Sequence, residues 1–488
     1  MASKRILLFF KAHWQIIFIL LLAAFLRFCQ IEEKTSFLGE QGRDLLIAKD
    51  ILFFEKLTLL GPPTSLSVNI HFGPFYHYFN AFWLAVFKLN PLGPAIGFGF
   101  LSLSACFFLY LTAKNFGFRK TGLFASLLFA VSPLMIRYGQ SMFNSYFLVS
   151  FSIFSFWSIS EFWEKRQKFW LFLSGLFAGI ALQANFLAYG FLLAIFVFLA
   201  FFKKDFLKNL IWFFGGVLLA VLPYLTFEAR HSFFNLKGFL AWIGQPELGD
   251  KSFNFWLSIS AVFYKTVYYS LGNQNNFLTS FLLIFSLCFL IFFLQQKKKD
   301  NFLKIIGLFW FFAALGVWFY RGELLDHYLG AIYPFVFLWF GYLFAKLISF
   351  KNGIFFFLCF IFLAILQLTS FKFKTDNGWG MPFGWNMKAT KQSAKIIAED
   401  ASGRFNIANL LDGNTRAQAY RYLISLSEKK PLGLEEYPKT DVLYVITRED
   451  ENGVLSYPVW EIYSFGPAEI EKTWAIKDNI KIFKLIKK

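Results

Sequence analysis

Glu40, Arg43 and Asp44 set two carboxylates and a guanidinium within five residues, in the run Phe37-Leu38-Gly39-Glu40-Gln41-Gly42-Arg43-Asp44. Carboxylates and arginine are groups of proton transfer and anion binding. Leu45, Ile47/Ala48 and Ile51/Leu52 follow at amphipathic spacing, so a helix is expected from about residue 42. Glu40 then sits near the helix entrance, which favours an anion. A charged, capped surface helix would fit the same residues.

Two further clusters carry polar groups. Gly61-Pro62-Pro63-Thr64-Ser65 leads to His71-Phe72-Gly73-Pro74-Phe75-Tyr76-His77-Tyr78, where prolines and glycines impose a rigid, non-helical path before an aromatic segment. Imidazoles beside apolar rings suit an amphiphile with a phosphate head, and equally an aromatic interface belt around Tyr76, His77 and Tyr78. Later, Arg321-Gly322-Glu323-Leu324-Leu325-Asp326-His327-Tyr328 enters the apolar run containing Tyr333-Pro334. Charges of both signs there imply a polar site or ion pairing. Arg321 and His327 suit phosphate contacts; a solvated connector is the plainer alternative.

The elements that position these groups are set by composition. The chain has 488 residues, 57% hydrophobic and 16% charged, with 73 Phe and a mean hydropathy of +0.51. Soluble domains average about 25% charged residues, so a single soluble globule is excluded, as is disorder. About eleven apolar stretches lie near 14–29, 95–113, 121–136, 145–160, 169–183, 185–202, 210–226, 277–294, 303–319, 329–347 and 353–370. The segment from Phe75 to about Phe87 is short enough to lie along the interface.

Cations orient the chain. Lys4, Arg5, Lys11, Lys114, Arg119, Lys120, Lys165, Arg166, Lys168, Lys203, Lys204, Lys208, Lys297, Lys298, Lys299, Lys304, Lys346 and Lys351 all fall on one side if residues 75–87 do not cross. That side is expected to be cytoplasmic. The expected arrangement is a multi-pass cell-membrane protein with a cytoplasmic N-terminus. The first span reads as a retained signal anchor. The outer connector near Gln140 carries just Arg137. The formal charge of +18 is thus mainly topological, and cations dispersed among connectors do not suit nucleic acid. Cys29, Cys106, Cys288 and Cys359 show no disulfide or metal spacing and read as packing residues.

The expected fold class is an all-α polytopic membrane domain over 1–370, with outer loops 30–72 and 227–276, followed by a small extracytoplasmic α/β domain over 371–488. In the tail, helices are expected over 388–401 and 414–427, and strands over 405–411, 441–447, 458–465 and 480–486. Gly403 fits a helix end and Asp412-Gly413-Asn414 a turn. The stretch from Phe253 to Leu271 would rest on the bilayer or form a lid.

The three polar clusters together resemble the GT-C membrane glycosyltransferases, in particular the protein O-mannosyltransferases and the lipid A aminoarabinose transferases. Glu40-Gln41-Gly42-Arg43 lies where that family has Asp-Glu-x-Arg, and Ile47-Ala48-Lys49-Asp50 matches its Ile-Ala-Arg-Glu-like helix in register. Gly73-Pro74-Phe75-Tyr76-His77-Tyr78 resembles its Lys-Pro-Pro-Leu-x-Tyr-Trp-like segment, and His327-Tyr328 to Tyr333-Pro334 its late span entrance. The likeness covers the roughly 370-residue membrane part. Three differences stand out: Glu40 replaces Asp, Gln41 replaces the second acid, and no Lys precedes Pro74, where His71 is the nearest substitute.

The resemblance implies a cell-envelope transferase that moves a sugar from a polyprenyl-phosphate donor to an acceptor hydroxyl on a lipid, glycan or protein at the outer face. Inversion follows from one displacement at the anomeric carbon. Glu40 would be the base, with Asp44 the alternate. Arg43, His71, Arg321 and His327 would hold the donor phosphate, and Tyr76, His77, Tyr78 and Tyr328 would line the lipid path. No metal or cofactor is required. The alternatives are a lipid-linked sugar flippase, which would usually place its polar groups at mid-bilayer in paired repeats, and a non-catalytic assembly protein.

Overall fold

A computed structural model describes residues 2–64, 70–243, 255–295, 300–318, 320, 323–477 and 479–488. Ser65, Phe253, Lys297, Lys298, Lys299, Arg321 and Gly322, all part of the expectations above, lie outside the described residues.

Helix α1 (Ala2–Phe28) is followed by a single turn, α2 (Ile31–Lys34), then α3 (Gly39–Leu52) and α4 (Phe75–Val86). The bundle continues through α5 (Leu92–Asn115), α6 (Arg119–Val131), α7 (Pro133–Tyr138), α8 (Phe147–Lys165), α9 (Phe169–Ala184), α10 (Tyr189–Ala200) and α11 (Phe206–Arg230). After α12 (Phe234–Ile243) and α13 (Phe255–Ser270) come α14 (Asn276–Gln295), α15 (Asn301–Trp318), α16 (Tyr333–Leu347) and α17 (Gly353–Thr369). Each apolar stretch read from the sequence is therefore helical. Among the described residues, Leu92–Asn115, Lys203–Arg230, Asn276–Phe293 and Asn301–Trp318 are long and apolar enough to cross a membrane; the apolar segments His13–Phe28, Phe169–Ala184, Phe186–Ala200, Tyr333–Leu347 and Gly353–Thr369 are shorter. Helix α4 has 12 residues, about 18 Å at 1.5 Å per residue, well below a hydrocarbon core of about 30 Å.

Helices α8 and α16 are buried nearly all round and form the centre of the bundle. Helices α11, α14 and α17 instead expose rows of Leu, Ile and Phe, a pattern suited to an apolar solvent. Pro133 splits the expected 121–136 segment into α6 and α7. Arg27 enters that break: its guanidinium donates to the carbonyls of Ala130 (3.0 Å) and Phe129 (3.3 Å) and to Ser102 Oγ (2.8 Å). Burying this cation is tolerable because its donors meet oxygen.

Helices α9 and α11 touch backbone to backbone. A Cβ on Gly175 would lie 1.9 Å from the Phe213 carbonyl oxygen, and one on Gly216 would lie 2.0 Å from that of Phe172. Small residues allow this approach. It brings together the ends of both helices that carry Gln183 and Glu228.

The C-terminal part contains α18 (Met387–Asp400), β1 (Phe405–Asn409), α19 (Gln418–Ile424), β2 (Val442–Thr447), α20 (Glu451–Leu455), α21 (Trp460–Phe465), β3 (Ala468–Lys477) and β4 (Ile480–Lys487). The sheet order is β1-β2-β4-β3, with β1 and β2 parallel and the other neighbours antiparallel. Residues 458–465 were expected to be a strand but end in helix α21, whose Ile462 and Phe465 cover one sheet face with Leu443, Val445 and Phe483. The expected helix over 414–427 shortens to α19, because Asp412 Oδ1 accepts the Asn414 N–H (2.8 Å) and holds a turn. Strand β3 went unread: its alternation of Ile470, Trp474 and Ile476 is diluted by charge, and most of it is exposed.

The other face of this unit joins the membrane part. Phe37 and Tyr422 meet edge to face at 6.3 Å, and the Tyr422 hydroxyl donates to the Leu89 carbonyl at 2.7 Å. Lys391 pairs with Glu32 at 2.6 Å, and the Trp379 indole donates to Gln140 Oε1 at 3.1 Å.

Candidate active site

Helix α3 begins at Gly39, three residues earlier than expected, because Gln41 turns back to accept the Leu38 N–H at 3.0 Å. The amide of Gln41 donates at 3.3 Å to the Met142 carbonyl, which also accepts the Tyr76 hydroxyl at 3.3 Å. Gln41, standing where the family has an acid, thus ties α3 to the connector after α7. A carboxylate there would lack the donor.

Glu40, Arg43 and Asp44 share one face, since residues three and four apart are neighbours on a helix. Their environments differ. Glu40 is exposed, whereas Asp44 is only 4% exposed and accepts from Arg43 at 2.8 Å. Burial pushes the Asp44 carboxyl up to about 6, opposed by Arg43 and assisted by Glu40.

Gly39 and Gly42 leave a neighbouring face of α3 without side chains. A Cβ on Gly39 would fall 2.0 Å from Asn414 Cγ, and one on Gly42 would fall 2.3 Å from the Ala419 backbone nitrogen. The turn before α19, with Ala417 in the left-handed region (φ +55°), therefore rests directly on the helix that bears Glu40.

His71 belongs to a short hairpin. Gly61 N–H donates to the Phe72 carbonyl (2.8 Å), Phe72 N–H to that of Pro62 (3.0 Å) and Thr64 N–H to that of Ile70 (2.7 Å). Gln183 secures its end: the Gly73 N–H donates to the Gln183 carbonyl (3.2 Å), the Phe75 N–H donates to Oε1 (3.1 Å), and Gln183 Nε2 donates to the Ala220 carbonyl (2.8 Å). Nδ1 of His71 and Nδ1 of His77 are both buried without a protein partner. Burial lowers both imidazoles. For His71 the neighbouring Asn235 amide opposes this and Arg43 adds to it; His77 is brought to about 3, with Arg43 and then His71 contributing. Arg43, His71 and His77 are thus within electrostatic reach of one another, and the two imidazoles are neutral near pH 7.

A third group closes the site. Arg137, at the end of α7, pairs with Asp326, whose Oδ1 accepts the His327 N–H at 2.7 Å. Burial, followed by Arg137, holds the His327 imidazole down to about 4, with Glu40 opposing. The Tyr333 hydroxyl donates to the Asp326 carbonyl at 2.7 Å.

Glu40, Arg43, Asp44, His71, Tyr76, His77 and His327 are therefore brought together. Tyr78 faces elsewhere, donating to the Thr58 carbonyl at 2.9 Å, and Tyr328 packs against Tyr320 and His327 with ring centroids 5.0 and 4.4 Å apart. Sequence reasoning passed over Arg137, read only as a connector charge, and Gln183, Glu228 and Asn235. A lone cation on a connector otherwise poor in charge was the one signal for Arg137.

Residues 71–227 match the family described as dolichyl-phosphate-mannose-protein mannosyltransferase. The fold is similar to that of ArnT from Cupriavidus metallidurans bound to undecaprenyl phosphate, with TM-score 0.58 and 10% identity over 97% of this chain and 98% of that one. The chain has the fold of this transferase, and its residues 71–227 match the mannosyltransferase family. The likeness in fold extends to ArnT from the same organism in the apo state (TM-score 0.56, 9% identity, 97% of this chain and 98% of that one). It extends also to the Archaeoglobus fulgidus oligosaccharyltransferase in complex with Zn and sulfate (TM-score 0.50, 12% identity, 88% of this chain and 67% of that one). No curated protein matches the chain by sequence.

Proposed function

We propose that this chain is a GT-C glycosyltransferase, transferring a sugar from a polyprenyl-phosphate donor to an acceptor hydroxyl at the outer membrane face with inversion at the anomeric carbon. One observation carries the reading: exposed Glu40 lies on the same helical face as Arg43, and beside Arg43 stand two buried imidazole nitrogens with no protein partner. Buried polar atoms without a partner call for one, and an Arg–imidazole set suits phosphate. ArnT, with which the chain shares its fold, is a protein seen bound to a polyprenyl phosphate.

In this reading Glu40 takes the proton of the acceptor hydroxyl as its oxygen bonds to the anomeric carbon. The bond from that carbon to the phosphate oxygen breaks, and polyprenyl phosphate leaves with one more negative charge. Arg43 and N–H groups of the neutral imidazoles meet that charge where it develops. Asp44 orients Arg43. His327, held by the Arg137–Asp326 pair, and Arg321 are further phosphate ligands. Inner connectors rich in Lys and Arg orient the polar groups and the C-terminal sheet outward, and α4 lies along the surface because of its length.

The test is transfer from a panel of labelled undecaprenyl-phosphate sugars by membranes containing the wild-type chain or Glu40→Gln. Transfer is expected to fall by about 10³-fold or more without the base, and the product's anomeric configuration is expected to be opposite to the donor's. Equal transfer by Glu40→Gln removes Glu40 as base, and a retained configuration removes the single displacement.

A further inference from the structure

The second outer stretch, which the sequence leaves as either a surface rest or a lid, begins with a polar hook that reaches the hairpin carrying His71. Helices α11 and α12 are joined by a tight turn in which Ser232 and Phe233 both adopt left-handed backbone conformations (φ +54° and +58°). The turn folds α12 back so that Glu228, near the end of α11, accepts from the first turn of α12. Its Oε1 accepts the Asn235 backbone N–H (3.1 Å) and side-chain amide (2.7 Å), and its Oε2 accepts the Leu236 N–H (3.1 Å). An anion at a helix N-terminus is favourably placed. The remaining polar end of Asn235, Oδ1, accepts the His71 backbone N–H at 2.7 Å.

Asn235 is 1% exposed and Glu228 5%. Burying an amide and a carboxylate here is sustained because their hydrogen-bonding groups are met: two N–H groups and an amide by the carboxylate, one backbone N–H by the amide oxygen. The Asn235 amide is locked, since Glu228 takes its NH2 group and only its oxygen is left to face the hairpin. Glu228 is fixed in turn by the backbone contact of α9 with α11, and α9 also holds the hairpin's other end through Gln183. The backbone of His71 is thus clamped from two sides, while its Nδ1 remains buried without a partner.

We infer that Asn235, oriented by Glu228, is a positioning residue that fixes His71 for the donor's phosphate, which makes the start of the second outer stretch part of the donor site. This rests on the phosphate role proposed for His71. The phosphate is the ligand; Asn235 acts through His71 and does not touch it.

The experiment titrates undecaprenyl phosphate into the full chain in detergent, following tryptophan fluorescence, for wild type, His71→Gln, Asn235→Ala, the double variant, Asn235→Asp, and Asn235→Asp combined with Glu228→Gln. His71→Gln and Asn235→Ala are each expected to weaken binding by about tenfold, the size of one buried hydrogen bond. The double variant is expected to be no weaker than His71→Gln alone, because residues acting through one another are not additive. Asn235→Asp alone sets two carboxylates together and weakens binding. Adding Glu228→Gln returns a donor–acceptor pair, although its amide meets only one of the two backbone N–H groups that Glu228 accepts, and is expected to recover about threefold of the lost affinity, which a variant that merely unfolds would not do. Additive losses, no rescue, or an unchanged Kd for Asn235→Ala beside a weakened His71→Gln would overturn the inference. An unchanged Kd for His71→Gln itself overturns the phosphate role on which it stands.

Discussion

Arg43 approaches a single oxygen of its sequence neighbour, Asp44 Oδ1, with both Nε and Nη2 at 2.8 Å. The buried carboxylate therefore sets the direction of the guanidinium, and Glu40, one helical turn earlier, faces solvent beside it.

A pH dependence follows. The Asp44 carboxyl is pushed up to about 6 by burial, so it ionises above that pH and loses its hold on Arg43 below it. Transfer is expected to fall on the acid side with an apparent pKa near 6, and Asp44→Asn is expected to abolish that limb along with most of the activity. For stability the sign is opposite. A carboxyl raised above its unfolded value of about 4 binds its proton more tightly in the native state, so its contribution is complete below pH about 4 and is lost as pH rises to 6. Thermal unfolding of wild type against Asp44→Asn between pH 4 and 7 checks this; curves with the same slope would reject it.

Gly42→Leu is expected to part the C-terminal sheet unit from α3. The new Cβ would fall 2.3 Å from the backbone of Ala419, which has no flexible end to yield. Overpacking of this kind costs about 1–3 kcal/mol. Faster proteolysis between residues 372 and 386, together with loss of transfer, would report the separation. An intact tail and normal activity would not fit the contact.

Arg137→Gln leaves the Asp326 carboxylate without its cation and is expected to destabilise the chain by about 2–4 kcal/mol. Adding Asp326→Asn removes the stranded charge and is expected to recover much of the melting temperature without recovering activity. If the double variant melts lower than the single one, the pair does not act in this way.

Gln41→Glu would supply the acid found at this place in the resembling family. Here it is expected to lower the melting temperature, because the Gln41 amide donates to the Met142 carbonyl (3.3 Å) and a carboxylate would oppose that oxygen. A cost of about 1–3 kcal/mol is expected from the unmet acceptors. Unchanged melting would show that the Met142 contact does not matter.

Orientation is open to labelling. In a chain with its four cysteines replaced, Asn115→Cys is expected to be shielded from an impermeant outside thiol reagent. Tyr463→Cys, at an 86% exposed position of the C-terminal unit, is expected to react. The reverse pattern would place the sheet in the cytoplasm.

The amphipathic period of Leu45, Ala48 and Ile51 makes α3 readable from sequence, and all three residues are buried. Its start is not readable, because it depends on Gln41 turning back to the Leu38 N–H, a posture held by the Met142 carbonyl about 100 residues away. Arg43, Asp44 and the histidines are legible as residue types. The division of labour between an exposed Glu40 and a buried Asp44 is not, since burial comes from packing that no local pattern encodes. Arg137 illustrates the limit: between Ile136 and Tyr138 it reads as a topological charge, and only the return of residues 326–327 to the same place pairs it. Residues 458–465 were misread because alternation over so short a run also fits a turn and a half of helix, and the second apolar core beneath the sheet decides for the helix.

Gly39 and Gly42 meet residues 414–419 across a separation of roughly 375 positions in the chain. At a synthesis rate of about 5–20 residues per second, the helix that bears Glu40 is made tens of seconds before the surface that covers it. Until then its bare glycine face stands open to water. Helix α3 is completed only by a unit translated much later, so a chain stalled before residue 414 would hold Glu40, Arg43, Asp44 and the histidines beside them and still lack the wall that keeps them in register.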